Sequence, residues 1–482
     1  MSLAEATVSA SSTLQDALIK LPDELILCIL QNLHHDDLIT LAAVSRHLHY
    51  IALEVLLRRF NVDLDSPSIF LRGNDNSITA LPALAIALPA IGTSPARLSC
   101  DLTTKFDSPS IMIQEARALT RYVYKMDSVE EVALQLMHPP FVHWEEVVLN
   151  LMNVILSKSC RSLSIKSLES SSWTVSSGSP TIKRPTGLSK ILRSNRLFAK
   201  RKSYPFLKVC HIQTLPRFLH PFYEQTLNAS AITELSFKYI FNAKEWETFS
   251  GRITIPSLSH LSISHCALLA SSFQQFVTRH PSITFLDFHH NMMMPVHPPR
   301  LPAGILPQLA QLQTSSEYIT HYLPPMVSLA ELSSIHITVG DKFHAFSRLD
   351  TALEHIASCA VDVKLCLEFG NIAGLEAWLK SKAAQTGMQK VESTLCCVKT
   401  LELDTLLPTG FSSHALAFIP QWLRLFPVLE HVSMTGRCIL DPAASIPRIV
   451  RSIETTCPNV KSFSLQSETK WFHTYSQGVS LL

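Results

Sequence analysis

The chain has 482 residues, of which 46% are hydrophobic and 17% charged, and its formal net charge is +2 at pH 7. This apolar content suffices for a folded core and excludes a chain that is disordered throughout. The small net charge gives no general attraction to nucleic acid or to an anionic membrane, so neither is expected as a partner. At this length we expect about three ordinary domains or one long repeat array.

The cysteines, the first residues and the most apolar run bear on whether the chain is secreted, inserted in a membrane or kept in a reducing compartment. Cys100, Cys160 and Cys210 occupy apolar positions of predicted strands, which favours buried free thiols in the cytoplasm or nucleus over a disulfide framework. Residues 1–16 are rich in Ser, Ala and Thr and lack the basic and apolar regions of a signal peptide, so they are predicted to be a disordered tail. The run 80–91 contains two prolines and is too short to span a bilayer.

The first long stretch with a helical pattern covers residues 20–60. Leu25, Ile29 and Leu33 fall at i, i+4 and i+8, and Ile26 and Leu30 widen the apolar stripe. This spacing predicts a helix with one apolar face.

Signals for the ends of helices divide this stretch into three. Pro22 suits the first helical position, where its missing N–H is not needed. Asp36 or Asp37 is predicted to cap a second helix and Ser45 a third. A unit of about 40 residues cannot bury its whole apolar surface alone, so part of that surface must meet another partner.

The order Leu-Pro-x-Glu-Leu, then Ile and Leu at helical spacing, then Asp-Leu and Val-Ser-Arg, resembles the F-box. The resemblance implies that the three helices, at 17–61, dock onto the adaptor Skp1 and through it join a cullin-based ubiquitin ligase. An ordinary helical hairpin that packs on the rest of the chain is the alternative. By matching position, the residues that would share the motif's own core and the Skp1 contact are Leu21, Pro22, Leu25, Ile29, Leu33, Leu38, Leu41 and Val44.

A second pattern recurs downstream: a proline, an aliphatic residue two positions later, and apolar residues five and seven positions later. Between Cys210 and Ile335 its central apolar residue returns every 23 to 26 residues, within the roughly 20 to 29 of leucine-rich repeats. Copies begin at Pro205, Pro256, Pro281, Pro427 and Pro458, with a shortened copy at Pro307.

One copy shows how such a repeat would fold. Leu261 and Ile263 alternate as in a short strand, Phe273 and Phe276 follow at helical spacing, and Pro281 ends that helix. One strand and one helix of this length cannot bury their apolar faces alone, but stacked copies can. A doubly wound α/β sheet is disfavoured because the chain has only 13 glycines and no glycine-rich phosphate loop.

These patterns predict the α/β class, with an N-terminal three-helix F-box followed at 62–482 by an irregular leucine-rich-repeat solenoid with a curved parallel sheet. The layout resembles the divergent leucine-rich F-box proteins that are numerous in mushroom-forming fungi. Two loops are expected within the array, one Ser-rich and basic at about 166–203 and one Pro-rich at about 290–305. The basic loop is a hypothetical nuclear-import signal or phosphate-binding patch.

Motifs of intrinsic catalysis are missing from the sequence: it has no G-x-S-x-G, H-E-x-x-H or paired C-x-x-C. His34, His35, Asp36 and Asp37 are adjacent and cannot easily converge on one ion, so no metal and no cofactor are expected. The resemblance therefore implies a non-catalytic adaptor that binds Skp1, and through it a cullin, and holds an unknown protein target. The alternatives are a non-degradative Skp1-binding or general protein-interaction scaffold and, third, an enzyme or small-molecule receptor within the array.

In a stacked-strand array, the residues between the buried apolar positions face outward from the sheet. Their mixture of hydroxyl and imidazole groups with few charges favours a protein or peptide partner over nucleic acid. The predicted target-binding face, on the concave side, consists of His211, Ser236, His260, Ser262, Phe285, Asp287, Gln313, His336, Glu402, His431 and Ser433.

Overall fold

The structure is a computed structural model. It describes residues 21–44, 46–63, 66–72, 80–91, 94–102, 109–137, 142–168, 204–294, 300–321, 323, 329–340, 345–359, 361–370, 373–388, 395–405, 411–435, 442–467 and 470–476. The chain divides into two compact units, Met1–Ile232 and Thr233–Leu482. This boundary falls inside the range 62–482 that the sequence assigns to one repeat domain.

The first unit begins with three helices and continues as alternating strands and helices. The three helices are α1 (Asp23–Gln31), α2 (His35–Val44) and α3 (Arg46–Arg59). The elements that follow are β1 (Ser68–Arg72), α4 (Leu81–Ile91), β2 (Arg97–Leu102), α5 (Pro109–Lys125), β3 (Glu131–Met137), α6 (Val142–Leu156), β4 (Ser162–Leu168), β5 (Val209–Gln213), a 3-10 turn (Arg217–Leu219) and α7 (His220–Ala229).

The strands of the first unit form one parallel sheet in chain order, β1 to β5. Each strand buries every second side chain; in β2, Leu98, Cys100 and Leu102 are at most 2% exposed. The helices that connect the strands bury one face, so every strand–helix repeat adds to a continuous core.

The second unit repeats this plan with more strands. Its elements are β6 (Glu234–Lys238), α8 (Ala243–Ser250), β7 (His260–Ser264), β8 (Ala267–Leu269), α9 (Ala270–Arg279), β9 (Phe285–His289), β10 (Met292–Met294), β11 (Gln311–Ser315), α10 (Ser316–His321), β12 (Ser334–Val339), α11 (Ala345–Ala357), β13 (Val363–Phe369), α12 (Ala373–Met388), β14 (Val398–Thr405), α13 (Ser413–Trp422), a 3-10 turn (Leu423–Leu425), β15 (His431–Thr435), α14 (Pro442–Thr456), β16 (Ser462–Ser467) and β17 (Lys470–Ser476).

Nine of these strands are parallel and pair in the order β6, β7, β9, β11, β12, β13, β14, β15 and β16. β17 then runs antiparallel to β16. The short strands β8 and β10 form a separate parallel pair.

Aromatic side chains fill the space between strands and helices in the second unit. The Trp246 ring of α8 lies edge-on to Phe237 of β6, with ring centroids 4.9 Å apart, and 5.8 Å from Phe276 of α9. The Asn242 side chain caps α8 by accepting from the backbone N–H of Lys244 at 3.1 Å. Strand, cap and helix thus belong to one repeat, with its core between them.

The α/β class with N-terminal helices and a parallel sheet of repeats is confirmed. The strands predicted from the repeat pattern are present, as is the strand expected at Cys100 (β2), whereas β1 and β3 were missed. The expectation that 290–305 is a loop was wrong in part: Met292–Met294 is a strand because its backbone pairs with Ala267–Leu269. At the predicted basic loop, 166–168 complete β4, and 169–203 lie outside the described residues, as does the predicted tail.

The described cysteines are free thiols in two environments. Cys100, Cys160 and Cys210 are buried, whereas Cys28 and Cys396 are exposed. Burial raises the pKa of the Cys160 and Cys210 thiols to about 12, so both remain protonated at neutral pH.

Candidate functional site

Helix α1 has two apolar faces with different environments. Ile26 and Leu30 are 1% and 2% exposed and pack inside the three-helix unit. Leu25 and Ile29, one helical turn apart on the other face, are 51% and 42% exposed. The sequence places all four on one wide stripe, and the packing of α1 divides them between core and surface.

Helix α2 shows the same division. Leu38 is fully buried and Ala42 nearly so, whereas Ile39 is 39% exposed. On α3, Leu53 and Leu57 are at most 1% exposed and close the small core. The unit therefore has a completed interior and still presents exposed aliphatic side chains.

Arg59, in the last turn of α3, fixes the C-terminal end of α1. Its guanidinium donates to the backbone carbonyls of Leu30 at 2.8 Å, Gln31 at 2.7 Å and Leu33 at 2.7 Å. The last turn of a helix leaves C=O groups without the N–H partners of the helix interior, and here the Leu30 carbonyl also accepts from the Leu33 backbone N–H at 3.2 Å. One side chain thus holds α1 against α3 and sets the direction of the exposed Leu25 and Ile29.

The structure gives different environments to the residues that the sequence assigned to this motif. Pro22, Leu25 and Ile29 are exposed, Leu38 belongs to the core, and the side chain of Val44 lies outside the described residues. The half-buried members of the set are Leu21, Leu33 and Leu41.

The predicted ends of the helices were right to within a few positions. Helix α1 begins at Asp23, with Pro22 as its N-cap rather than its first residue. The prediction that Asp36 or Asp37 caps the second helix was wrong, because α2 begins at His35. Both aspartates therefore lie in the first turn, where negative charge is favourable beside the free N–H groups. Ser45 lies outside the described residues.

Sequence reasoning missed Ile39 as a surface residue. It also missed Tyr50 of α3, which is 56% exposed. A signal for Ile39 exists in the sequence, since Leu38, Leu41 and Ala42 already fill a helical stripe and Ile39 falls outside it.

The second candidate surface is the polar face of the sheet in the second unit. The strand register aligns its residues across neighbouring strands: Ser262 lies beside Asp287, Asp287 beside Gln313, and Gln313 beside His336. On the following strands Cys366 lies beside Glu402. This row continues to Ser236 at one end and to Ser433 and Ser464 at the other.

A parallel row on the same face carries the remaining predicted residues of this unit. His260 lies beside Phe285, with ring centroids 5.7 Å apart. His431 lies further along the row, beside Ser462. Ser236, expected at the surface, is only 6% exposed. His211 belongs to the first unit, where it lies beside Ser164.

Imidazole–carboxylate contacts recur on this face. Asp287 contacts Nδ1 of His289 and accepts a 2.7 Å hydrogen bond from Ser262 Oγ. A second such contact joins β12 and β13. Glu368 of β13 lies 3.3 Å from Nε2 of His336 on β12, and it accepts from Thr338 Oγ1 at 2.9 Å. The Ser262 hydroxyl thus bonds to a carboxylate, whereas a hydroxyl–imidazole contact lies elsewhere on this face, between Ser462 Oγ and His431 Nδ1 at 2.7 Å.

The pKa of Glu368 reflects its partners. The adjacent His336 imidazole is the largest influence and lowers this pKa, and the Thr338 hydroxyl lowers it further against the opposing effect of burial. Burial alone would lower the pKa of His336, but its contacts with Cys366 and Glu368 outweigh burial and raise it. The pair is therefore an ion pair at neutral pH.

A recurring short motif accompanies each strand in the middle of the array. Leu258-x-x-Leu261-x-Ile263-x-x-Cys266 and Ile283-x-x-Leu286-x-Phe288-x-x-Asn291 have the same spacing. The Asn291 side chain accepts from the Cys266 backbone N–H at 2.9 Å and donates to the Ile263 carbonyl at 2.6 Å. It thereby ties its repeat to the preceding one.

Within the described residues, no three His, Cys, Asp or Glu side chains are arranged to hold a metal ion. The helices of the described part are also too short or too polar to cross a membrane.

The N-terminal helices, with a closed core and exposed aliphatic side chains, precede a repeated strand–helix array. Residues 18–62 match the family described as F-box-like, so this region is an F-box-like domain. No curated protein sequence matches the chain. A chain in the solved structure "Crystal structure of Rad7 and Elc1 complex in yeast" is similar over 96% of this chain and 92% of its own length, at 12% identity and a TM-score of 0.31.

Proposed function

We propose that this protein is the substrate-recognition adaptor of an SCF-type (Skp1–cullin–F-box) E3 ubiquitin ligase. The observation that supports this most is the exposure of Leu25 and Ile29, one turn apart on α1, and of Ile39 on α2, in a helical unit whose own core is already complete. Exposed aliphatic side chains grouped on a folded unit mark a protein contact site. The Skp1-binding set therefore centres on these three residues, with Pro22 beside them and Leu38 as its internal support.

In this role the chain positions a target and makes no covalent bond itself. The F-box-like domain holds Skp1 and, through it, a cullin, while the repeat array holds a protein target. Holding the target near the ligase-bound E2 raises its effective concentration there. Such an adaptor works in the cytoplasm, the nucleus or both.

The repeat array supplies the target-binding face in this proposal. We assign it to the leucine-rich repeats, because the spacing from Leu258 to Cys266 and from Ile283 to Asn291 agrees with the L-x-x-L-x-L-x-x-N/C pattern of that class. Arrays of this kind bind partners on an extended surface. The polar rows through Asp287, Gln313 and Glu402 are the proposed surface.

Co-precipitation of the full chain with recombinant Skp1 tests the docking half of the proposal. The variant Leu25→Asp with Ile29→Asp places carboxylates on an exposed face and leaves Ile26 and Leu30 in the core. Losing the burial of both side chains is expected to cost about 2 kcal/mol or more, roughly a thirtyfold weaker complex. Ile86→Asp is the matched control, since Ile86 is an aliphatic helix residue that is 41% exposed.

Equal recovery of Skp1 by the native chain and the double variant contradicts the docking assignment. If Skp1 binding depends on Leu25 and Ile29, a second step asks whether a cullin co-purifies with the complex. Recovery of the cullin supports the ligase adaptor. Skp1 without cullin instead supports the non-degradative scaffold.

A further inference from the structure

Three residues at equivalent positions of successive repeats share an unusual backbone conformation. Tyr239, His265 and His290 directly follow β6, β7 and β9, and their φ angles are 59°, 55° and 54°. A positive φ is uncommon for residues other than glycine. The positive φ angle occurs in three consecutive repeats, so the geometry of the repeat favours it. The three side chains therefore leave the backbone in the same direction.

The three rings form a stack, which we call the ring ladder. The centroids of Tyr239 and His265 are 5.1 Å apart with planes 17° from parallel, and those of His265 and His290 are 5.0 Å apart with planes 16° from parallel. His265 therefore has a ring against each of its faces. Because His265 is nevertheless exposed, it is the edge of this ring that meets the solvent.

Exposed apolar side chains flank the ladder. Phe241 is 72% exposed, and its ring centroid lies 6.3 Å from that of Tyr239. At the other end Met292, two residues after His290, is 60% exposed. Tyr239 itself is 41% exposed. The ladder and its flanks make a strip across three repeats.

Lys238 places a positive charge beside the strip. Lys238 precedes Tyr239 and is close enough to His265 to help lower the pKa of that imidazole, after burial and His289. The nearby carboxylate, Asp287, is already engaged by Ser262 Oγ at 2.7 Å and by the His289 ring. The edge of the Tyr239 ring and the N–H group of each imidazole also carry partial positive charge. The strip therefore favours a partner with negative charge.

We propose that the ring ladder of Tyr239, His265 and His290 binds an extended acidic segment of a target protein. In this arrangement the carboxylates of the bound segment lie along the ring edges and Lys238. The apolar side chains of the segment contact Phe241 and Met292. An extended segment can follow the ladder because the three rings stand in one row across successive repeats. The inference rests on the proposed function only in its target-binding half and does not depend on Skp1.

Selection of a random dodecapeptide library displayed on phage against the full chain, without Skp1, tests this inference. The test variant carries Tyr239→Asn, His265→Asn and His290→Asn, which removes the rings and keeps a residue that tolerates positive φ. The matched control is Ser159→Asn, an exposed position with φ 60° that lacks a ring.

The native chain and the control are expected to enrich peptides that combine Asp or Glu with apolar residues. The triple variant is expected to bind those peptides at least tenfold more weakly, with unchanged thermal unfolding. Enrichment of basic peptides, equal binding by the triple variant, or displacement of the peptides by short single-stranded DNA would overturn the proposal. A failure here leaves Skp1 co-precipitation unaffected, so the two proposals fail separately.

Discussion

At the scale of single residues, the environment decides what each side chain can do. Leu25 and Ile26 are neighbours of similar character, yet one is 51% and the other 1% exposed. Periodicity predicts that both belong to an apolar stripe, but the boundary between core and surface depends on where α3 packs. The sequence therefore predicts the set of motif residues and cannot assign each one to core or contact.

His280 is a buried histidine with a defined tautomer. Its Nε2 accepts from the Ile255 backbone N–H at 2.9 Å, so Nδ1 carries the proton and donates to the Phe276 carbonyl at 2.6 Å. Burial lowers its pKa, and nearby Arg279 lowers it further, against the opposing effect of the Phe276 carbonyl. Protonation of Nε2 would place its N–H against the backbone N–H of Ile255, so the folded state disfavours the charged imidazole.

This environment predicts a loss of stability in mild acid. Below the unfolded-state pKa of about 6.5, the unfolded chain binds a proton that folded His280 does not, so the free energy of unfolding falls as pH decreases. Urea unfolding at pH 7.5 and 5.5 measures the difference. His280→Gln is expected to be less stable at pH 7.5 and to lose less stability between the two values. Exposed His414→Gln, the control, should keep the native pH dependence; a similar dependence in His280→Gln would contradict the assignment.

At the scale of elements, side chains from one element complete the ends of another. Arg279 of α9 donates to the Gly251 carbonyl at 3.0 Å and to Ser250, at the C-terminal end of α8. Arg59 does the same for α1 from α3. Sequence patterns place the helices but not these long-range caps, because the partners of Arg59 lie about thirty positions away.

Removal of the Arg59 cap is expected to loosen α1. Arg59→Met keeps much of the apolar stem and removes the guanidinium donor from the carbonyls of Leu30, Gln31 and Leu33, of which Leu30 keeps the Leu33 N–H; the expected cost is about 1 to 3 kcal/mol. Faster amide hydrogen exchange in α1 of the full chain is the expected result.

The neighbouring Arg58→Met variant is the control for this measurement. Arg58 forms an exposed pair with Glu54 at 2.6 Å within the same helix, which is worth about 0.3 to 0.5 kcal/mol. Equal exchange in the two variants would show that the Arg59 contacts do not stabilise α1.

At the scale of the whole molecule, regular spacing decided what the sequence could predict. Strands β5, β6, β7, β9, β11 and β12 follow intervals of 23 to 26 residues, and their existence was predicted. β1 and β3 were missed because their intervals are longer and no proline marks them, whereas Leu98-x-Cys100-x-Leu102 alternates as a strand should. The pairing of Met292–Met294 was missed because the prolines that follow it indicated a loop.

The antiparallel strand β17 covers the edge of β16 in the second unit. Its register places Tyr475 beside Phe463 and Phe472 beside Leu465. An uncovered strand edge presents unpaired N–H and C=O groups that can pair with another chain. β17 therefore protects this end of the sheet.

Truncation after Ser467 is expected to cause concentration-dependent self-association, since it removes β17 and opens the edge of β16. Size-exclusion chromatography with light scattering measures the mass of the species. Truncation after Ser476 keeps β17 and serves as the control. If both truncated chains stay monodisperse at the same mass across a tenfold concentration range, β17 does not have this protective role.

The exposed and the buried cysteines are expected to react with thiol reagents at very different rates. Cys28 is exposed on α1, one position before Ile29, whereas Cys100, Cys160 and Cys210 are enclosed by the first sheet and its helices. A thiol-selective alkylating reagent will thus mark α1 within its ordinary reaction time, and slowly or not at all if another protein occludes that helix. The enclosed thiols become accessible only when the surrounding strands separate, so mass spectrometry of one alkylated sample reports both the occupancy of α1 and the unfolding of the first sheet.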